Sequence, residues 1–189
     1  MNIQSARFIK SIVAKDPTLE DGKPQIVFIG RSNVGKSSTI NAILNRKDLS
    51  KVSSSPGRTA QINLFLINES FYFVDLPGYG YAKKSKQERT ELQELINWYL
   101  FGQNYKHKKI ILIIDAFTGP SADDFEILEA MEAEKLPVII IANKIDKIKP
   151  SLQKSYKQEL QEMFPEQKII YYSTKTKVGL DELRKEILK

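Results

Sequence analysis

The stretch Gly30-Arg31-Ser32-Asn33-Val34-Gly35-Lys36-Ser37-Ser38 has the residue types and spacing of a phosphate-binding loop, G-x-x-x-x-G-K-[ST]. Its two glycines let the backbone approach a polyphosphate closely, so that successive N–H groups and the following helix N-terminus face the anion. We expect Lys36 to bridge the β- and γ-phosphates and the Ser37 hydroxyl to ligate Mg²⁺. The alternative, an ordinary glycine-containing turn, is disfavoured because a predicted strand precedes the loop and a predicted helix follows it.

A second motif, Asp75-Leu76-Pro77-Gly78, ends another apolar segment. A carboxylate at the end of a strand can hold Mg²⁺ through a water molecule, and the Gly78 N–H can reach a γ-phosphate. The D-x-x-G pattern alone has little specificity. Its position after a phosphate-binding loop makes it a strong indication of a nucleoside triphosphate site.

The third motif, Asn143-Lys144-Ile145-Asp146, selects the base. The Asp146 carboxylate can accept hydrogen bonds from both the ring N–H and the exocyclic amine of guanine, whereas adenine presents an acceptor at that ring nitrogen. We expect the Lys144 stem to lie over the base and Asn143 to tie this loop to the phosphate loop. Ser173-Thr174-Lys175 is expected to donate a backbone N–H to the guanine oxygen. A plain turn or helix cap is the alternative interpretation.

The elements that must position these motifs alternate between strand and helix, which predicts an α/β, P-loop nucleoside triphosphatase fold. We expect a mostly parallel six-stranded sheet with one antiparallel strand, helices on both faces and the ligand at the carboxyl ends of the strands. Ser5–Val13 could add an edge strand, and Asn68-Glu69-Ser70 is short enough for a hairpin. The predicted strands are Ile26–Ile29, Ile62–Ile67, Phe71–Val74, Ile110–Ile114, Val138–Ala142 and Ile169–Tyr172. The predicted helices cover Ser37–Leu44 and Gln87–Phe101, a segment with Phe125, Leu128 and Met131 inward, a segment marked by Leu152, Tyr156, Leu160 and Met163, and a closing segment with Leu180, Leu183 and Ile187.

Length and composition favour a single domain over residues 1–189, with residues 1–24 as an N-terminal extension of it. The sequence shows no signal-peptide pattern and no long apolar run, so a cytoplasmic protein is expected. The absence of cysteine and the single histidine, His107, argue against thiolate or histidine metal sites; we interpret His107 as a surface residue. The net charge of +6 suits either a phosphate-rich partner such as RNA or a plain solvated surface.

With these motifs in place, the chain resembles the EngB (YihA/YsxC) family of bacterial ribosome-assembly GTPases, within the TRAFAC class of P-loop GTPases. The resemblance is carried by the phosphate loop, by Pro56-Gly57-Arg58-Thr59 and by Asp75-Leu76-Pro77-Gly78-Tyr79-Gly80-Tyr81-Ala82, in that order. It covers nearly the whole chain, including the opening Ala6-Arg7-Phe8. It implies hydrolysis of GTP to GDP and phosphate.

The resemblance also implies roles for further residues. Gly57, Arg58, Thr59, Ala60 and Gln61 join the nucleotide-binding set, and the direct Mg²⁺ ligands are Ser37 and Thr59, with Asp75 acting through water. Catalysis would rest on Lys36, Thr59, Gly78 and Asn33. In related GTPases an asparagine at the Asn33 position helps to hold K⁺, so K⁺ is a candidate second cation. Many GTPases carry a water-orienting glutamine where this chain has Tyr79, and its absence predicts slow intrinsic hydrolysis.

The expected partners are GTP or GDP and a large ribosomal subunit precursor with its RNA and proteins; the resemblance further implies a requirement in cell division and septation. No membrane is expected, and the protein is expected to be a monomer. Phe117-Thr118 stands where the family usually has Arg-His, which removes two possible polar contacts, and Asn143 stands where threonine is frequent. Lys83, Lys84, Lys86 and Arg89 could contact RNA or simply be solvated. A P-loop ATPase or nucleotide kinase is the alternative function, against which Asp146 speaks.

Overall fold

The computed structural model of the chain describes residues 3–46, 49, 60–80, 85–103 and 105–189. Seven strands and five α-helices lie in these residues, with short 3₁₀ turns between some of them. The strands are β1 (Ala6–Ile12), β2 (Gln25–Gly30), β3 (Ile62–Ile67), β4 (Phe71–Asp75), β5 (His107–Asp115), β6 (Val138–Asn143) and β7 (Lys168–Tyr171). The helices are α1 (Lys36–Leu44), α2 (Lys86–Phe101), α3 (Ala122–Ala133), α4 (Gln153–Met163) and α5 (Leu180–Ile187).

The strands form one sheet in the order β1-β3-β4-β2-β5-β6-β7. β3 runs antiparallel to both of its neighbours, while β4, β2, β5, β6 and β7 are mutually parallel. The two antiparallel contacts include the predicted hairpin, whose turn residues Asn68 and Glu69 both have positive φ, as twist-matched hairpin turns require. The parallel strands therefore bring β2, β4, β5, β6 and β7 to a common carboxyl edge.

Helices cover both faces of the sheet, as predicted. Alternate residues of β5 point to opposite faces, with Ile110, Leu112 and Ile114 in one buried cluster and Ile111 and Ile113 in the other. The first cluster contains the inward side chains of α2, α3 and α4, and the second contains those of α1 and α5. Every residue of β2, β3 and β4 is thereby buried, which is the usual condition for strands in the middle of a sheet that is covered on both faces.

The sheet has seven strands, not the six predicted, because the segment considered as an edge strand does pair with β3 through a bulge between Phe8 and Lys10. The inward orientation predicted for Phe125 is wrong: this side chain is 41% exposed and its ring stacks on that of Phe164 at a centroid distance of 5.0 Å. The buried stripe of α3 instead consists of Asp124, Ile127, Leu128 and Met131. Their i, i+3, i+4, i+7 spacing leaves Phe125 to the side of the stripe.

His107 was predicted to be a surface residue, but it is half-buried at the start of β5. Its ring lies 5.4 Å from the Tyr99 ring and 6.4 Å from the Tyr105 ring, centroid to centroid. Burial lowers the pKa of His107 to about 4. His107 is at the amino end of its strand, whereas the predicted nucleotide motifs are at the carboxyl ends. None of the helices that the structure describes combines the length and apolar character needed to cross a bilayer.

Candidate functional site

The phosphate loop joins the end of β2 to the start of α1, the strand–loop–helix arrangement that its sequence predicts. Gly35 adopts a left-handed conformation with φ of +99°, and a Cβ atom there would collide with the Asn143 side chain. A Cβ atom at Gly30 would collide with the Ile113 carbonyl. α1 begins at Lys36 with no side-chain cap, so its first backbone N–H groups face the loop and suit an anion.

Lys36 and Asp75 form an ion pair across the site. Their side chains are 11% and 2% exposed, which places both charges at the closed end of the loop. Asp75 is the last residue of β4, and Ser37 lies in the first turn of α1. A hydroxyl and a carboxylate are the hard oxygen donors that Mg²⁺ prefers, so the donor chemistry fits this ion.

The D-x-x-G turn packs directly on the phosphate loop. The Ser32 N–H donates to the Tyr79 carbonyl at 2.8 Å, and the Ser32 hydroxyl donates to the Gly78 carbonyl at 3.1 Å. Arg31 and Tyr79 form an isolated parallel bridge next to these bonds. A side chain at Gly78 would be cramped, because its Cβ atom would lie 3.0 Å from the Ser32 backbone. The two motifs thus form one continuous surface.

Tyr79 is buried, with 5% of its surface exposed, and its hydroxyl donates to Asp124 in the first turn of α3. Burial and the adjacent Asp124 carboxylate raise the pKa of Tyr79 far above its usual value. Its ring belongs to the core beneath α2 and α3. Tyr81 and Ala82 lie outside the described residues.

Asn143 joins three loops. Its Nδ2 atom donates to the Val34 carbonyl at 2.8 Å, which is the predicted tie to the phosphate loop. Its Oδ1 atom accepts from the backbone N–H and the hydroxyl of Thr174, at 3.1 and 2.9 Å. Asn143 is almost fully buried, so these hydrogen bonds are protected from water.

Ser173 holds the carboxylate of Asp146. The Ser173 hydroxyl donates to Asp146 Oδ1 at 2.6 Å and accepts from the Thr176 N–H at 3.0 Å. The backbone N–H groups of Ser173 and Thr174 are occupied by the Val178 carbonyl and by Asn143. Of the three amides predicted to face a guanine oxygen, the one at Lys175 has no hydrogen-bond partner in the described part of the chain.

Lys144 adopts a left-handed conformation with φ of +70°. Its ammonium group donates to the Asn33 carbonyl at 3.0 Å and pairs with Asp115 Oδ2 at 2.6 Å. These contacts hold the stem of Lys144 alongside the phosphate loop. Ile145 is buried beneath the loop and anchors it to the core.

Two family models match the sequence. The model described as "50S ribosome-binding GTPase" matches residues 25–144, and the one described as "Elongation factor Tu GTP binding domain" matches residues 106–189. The "Probable GTP-binding protein EngB" of Acholeplasma laidlawii is 43% identical over 187 residues, which cover 98% of this chain and 97% of that protein.

The chain belongs to the EngB family of GTP-binding proteins. Among solved structures, a probable GTP-binding protein EngB has a TM-score of 0.74 at 23% identity, covering 87% of this chain and 96% of the other, which shows the shared fold. Era in complex with MgGDPNP and nucleotides 1506–1542 of 16S ribosomal RNA has a TM-score of 0.66 at 30% identity. That match covers 88% of this chain and 56% of Era. As a member of the EngB family, the protein is a GTPase.

The structure describes only some of the other residues predicted for the EngB-type site, and these differ in exposure. Gly57, Arg58 and Thr59 lie outside the described residues, as do Lys83 and Lys84. Ala60 and Gln61 are half-buried just before β3, and Ser38 is exposed on α1. Pro77 is half-buried within the D-x-x-G turn, and Leu76 is fully buried.

Arg31 extends away from the neighbouring loop residues toward α3. A Cβ atom at Gly80, whose φ is +68°, would lie 3.2 Å from Arg31 Nε and 3.0 Å from Asp123 Oδ2. The Arg31 Nε atom is buried and has no hydrogen-bond partner among the described residues. Phe117, one of the two departures from the family pattern, is 57% exposed, with the Lys147 ammonium 5.1 Å from its ring centroid.

Sequence reasoning missed two contributors to this EngB-type site. Asp124 forms a capping box with Ser121 at the start of α3, and its second oxygen accepts from the Tyr79 hydroxyl. Ser173 was predicted to act through its backbone, whereas its side chain orients Asp146. A polar residue at an inward helical position was the available signal for Asp124; nothing local indicated the partner of Ser173.

Proposed function

We propose that this EngB-family GTPase acts as a nucleotide-dependent switch in assembly of the large ribosomal subunit. The contact between Ser32 and the Gly78–Tyr79 backbone carries the proposal, because a γ-phosphate at the loop must alter the surface on which the D-x-x-G turn rests. Tyr79 connects that turn through Asp124 to α3, on which Phe125, Glu126 and Glu129 are exposed. Hydrolysis would then change a surface that a partner can recognise.

The ribosomal partner is supported by the description of the matching family model, "50S ribosome-binding GTPase". The net charge of +6 suits a particle rich in RNA phosphate. We further propose the requirement in cell division and septation that the family resemblance implies, and a cytoplasmic, monomeric protein. Residues 1–24 are proposed to belong to the same domain, since β1 pairs with β3 over its whole length.

For catalysis, we propose that Lys36 and the loop amides position the β- and γ-phosphates for in-line attack by water. Ser37, Thr59 and Asp75 would hold Mg²⁺, and the Gly78 N–H would contact the γ-phosphate. When bound, Mg²⁺ neutralises charge on the phosphate oxygens. Era, which is similar to this chain, has been solved with MgGDPNP, which supports the same cation here.

For the base, we propose that Asp146 reads guanine while Lys144 lies along its plane. Asn143 and Ser173 position these two residues, and the Lys175 N–H is the amide left to meet the guanine oxygen. The other residues expected in the nucleotide-binding set, including Gly57, Arg58, Ala60 and Gln61, are proposed to make the remaining contacts with the nucleotide.

We also propose that Asn33 contributes to a K⁺ site. Asn33 is exposed, has a φ of +66° and already presents its carbonyl to Lys144. Because no glutamine follows Gly78, intrinsic hydrolysis should be slow and should depend on a supplementary cation. Phosphate release in KCl should exceed that in NaCl, and equal rates in the two salts would exclude the K⁺ role.

Binding of labelled GTP and GDP with ATP as competitor, followed by sedimentation with large ribosomal subunits in each nucleotide state, tests the proposal. Guanine-selective binding and GTP-dependent cosedimentation are expected. Selective nucleotide binding without cosedimentation would overturn the ribosomal role and leave the GTPase assignment intact. Displacement by ATP would instead favour the ATPase or nucleotide kinase alternative.

A further inference from the structure

A lysine-rich segment follows the guanine loop, Asn143–Asp146, at the carboxyl edge of the sheet. From Asp146 to Glu159 the chain has no other acidic residue, and it contains Lys147, Lys149, Lys154 and Lys157. All four lysines are exposed, and none of them forms an ion pair with a residue that the structure describes. Unpaired ammonium groups so close together repel one another and attract a polyanion.

The fold holds this segment beside the nucleotide motifs. The Gln153 amide donates to the carbonyls of Ile145 and Ile148, at 3.4 and 3.2 Å, and so ties the start of α4 to the guanine loop. Lys154 and Lys157 are three residues apart on α4, so their side chains leave the helix on the same face. The lysines therefore extend from a fixed surface next to the proposed base site.

The charge at the start of α4 opposes the helix dipole. Acidic residues in the first turn complement the positive end of a helix, and α2, α3 and α5 each carry them there. α1 and α4 have none, and α1 is the helix that follows the phosphate loop. α4 instead carries Lys154 in its first turn. This placement costs helix stability, which favours a role for the positive charge in binding an anion.

Phe117 adds an exposed aromatic ring to this surface. It is 57% exposed in the loop after β5, and the Lys147 ammonium lies 5.1 Å from its ring centroid. The Phe117 N–H donates to Asp115 Oδ1 at 2.9 Å, and Lys144 balances the charge of Asp115. An exposed ring beside lysines suits an unpaired nucleotide, because the base stacks on the ring while the phosphates meet the cations.

We propose that Phe117 and the lysines of residues 147–157 bind single-stranded RNA. One base stacks on the Phe117 ring, and the strand's phosphates follow the four lysines. Leu152, which lies between these lysines in the chain and is 54% exposed, offers apolar surface to a ribose. The inference rests on the ribosomal partner proposed above for the source of the RNA. The site lies on a different helix from Lys86 and Arg89, the cluster that the sequence left open as an RNA contact.

Fluorescence anisotropy with a short, labelled, unstructured RNA tests the base contact. Phe117→Ala should weaken binding by about tenfold, whereas Phe117→Trp should bind at least as tightly as wild type because its larger ring also stacks. Phe125→Ala is the control, since Phe125 is an exposed phenylalanine on α3, and it should change the affinity by less than about twofold. A duplex RNA of the same length should bind wild type more weakly, because its bases are already stacked.

The double variant Lys149→Gln, Lys154→Gln tests the phosphate contacts. The slope of log affinity against log salt concentration should fall by about 1.4, since each phosphate contact to a single strand contributes about 0.7. Lys108→Gln with Lys185→Gln is the matched control, because it removes the same charge from two exposed lysines on β5 and α5. The control should leave the slope nearly unchanged.

Thermal melting followed by circular dichroism shows that each variant is folded. Equal RNA affinity of wild type and Phe117→Ala, or equal salt slopes for the two double variants, would overturn the proposal. Displacement of the RNA by poly-L-glutamate as readily as by unlabelled RNA would also overturn it and would assign the surface to an acidic protein. The assay contains no ribosome. RNA binding without ribosome cosedimentation would overturn the ribosomal role alone, and cosedimentation without RNA binding would overturn this inference alone.

Discussion

The Tyr79 hydroxyl donates a hydrogen bond to Asp124 Oδ1, while Asp124 Oδ2 accepts from the backbone and side chain of Ser121. One buried carboxylate therefore caps α3 and holds the residue that follows the D-x-x-G glycine. Many GTPases place a glutamine at that position. Here the position serves to connect the D-x-x-G turn with α3.

Tyr79→Phe keeps the ring and removes this hydrogen bond. Asp124 is almost fully buried, so an oxygen that loses its partner should cost about 1 to 3 kcal/mol of unfolding free energy. Urea denaturation of the nucleotide-free protein measures the change. Tyr171→Phe is the control, because its hydroxyl bond to the Lys157 carbonyl is exposed and its loss should cost less than about 0.5 kcal/mol. Equal stability of the Tyr79→Phe variant and wild type would contradict the role of the bond.

Ser173→Ala should weaken GTP and GDP binding by about tenfold, or about 1.4 kcal/mol. The variant removes the hydroxyl that orients the Asp146 carboxylate and accepts from Thr176. Fluorescent GDP titration measures the affinity. Ser155→Ala, which removes an exposed hydroxyl on α4, should bind like wild type. If Ser173→Ala also binds like wild type, the hydroxyl does not position Asp146.

Asp75→Asn should lower the Mg²⁺ affinity of the GDP complex by about ten- to hundredfold, because the neutral amide replaces a carboxylate proposed to hold the ion through water. Titration of the GDP dissociation rate with Mg²⁺ measures this affinity, and chelation with EDTA should speed dissociation from wild type. Asp181→Asn on α5 serves as the charge-matched control. An unchanged Mg²⁺ titration for Asp75→Asn would remove Asp75 from the metal site.

Acid should destabilise the protein through His107. Its folded-state pKa of about 4 is below the unfolded value of about 6.5, so the unfolded chain binds the proton more readily and stability falls as the pH drops from 6.5 toward 4. The loss should reach about 2 kcal/mol at pH 5 relative to pH 8.

His107→Gln removes the only histidine, so the unfolding free energy should depend less on pH between 8 and 5. The paired carboxylates of Asp16 and Glu186 have pKa values of about 2, so their contributions are lost only at lower pH. Urea unfolding at pH 8, 6.5 and 5 measures the unfolding free energy of wild type and of His107→Gln. Parallel pH curves for wild type and His107→Gln would show that His107 is not the group responsible.

Most strands and helices were predictable because each combines local periodicity with a clear end signal. The phosphate loop lies between an apolar run and a helix, and the hairpin turn Asn68-Glu69 joins two β-branched and aromatic segments. The tie between Asn143 and the phosphate loop was also predictable, because parallel strands bring their carboxyl ends together.

The features that sequence reasoning missed depend on contacts between distant segments. Phe125 and Asp124 are adjacent, and hydrophobicity alone assigns Phe125 to the core. The buried hydroxyl of Tyr79 and the cap by Ser121 make the inward position suitable for Asp124. His107 appeared to be a surface residue because lysines flank it, yet the Tyr99 and Tyr105 rings cover it. No pattern in the neighbouring sequence indicates such contacts with distant residues.

The tie between Val34 and Asn143 spans 109 residues, and Asn143 is in turn held by Thr174. A nascent chain therefore exposes its phosphate loop long before the residues that support the base have been synthesised. GTP stabilises only the form that binds it, so it gives little help to the growing polypeptide and favours the finished one. In the cell, GTP would therefore stabilise only chains whose synthesis is complete, in addition to being the substrate.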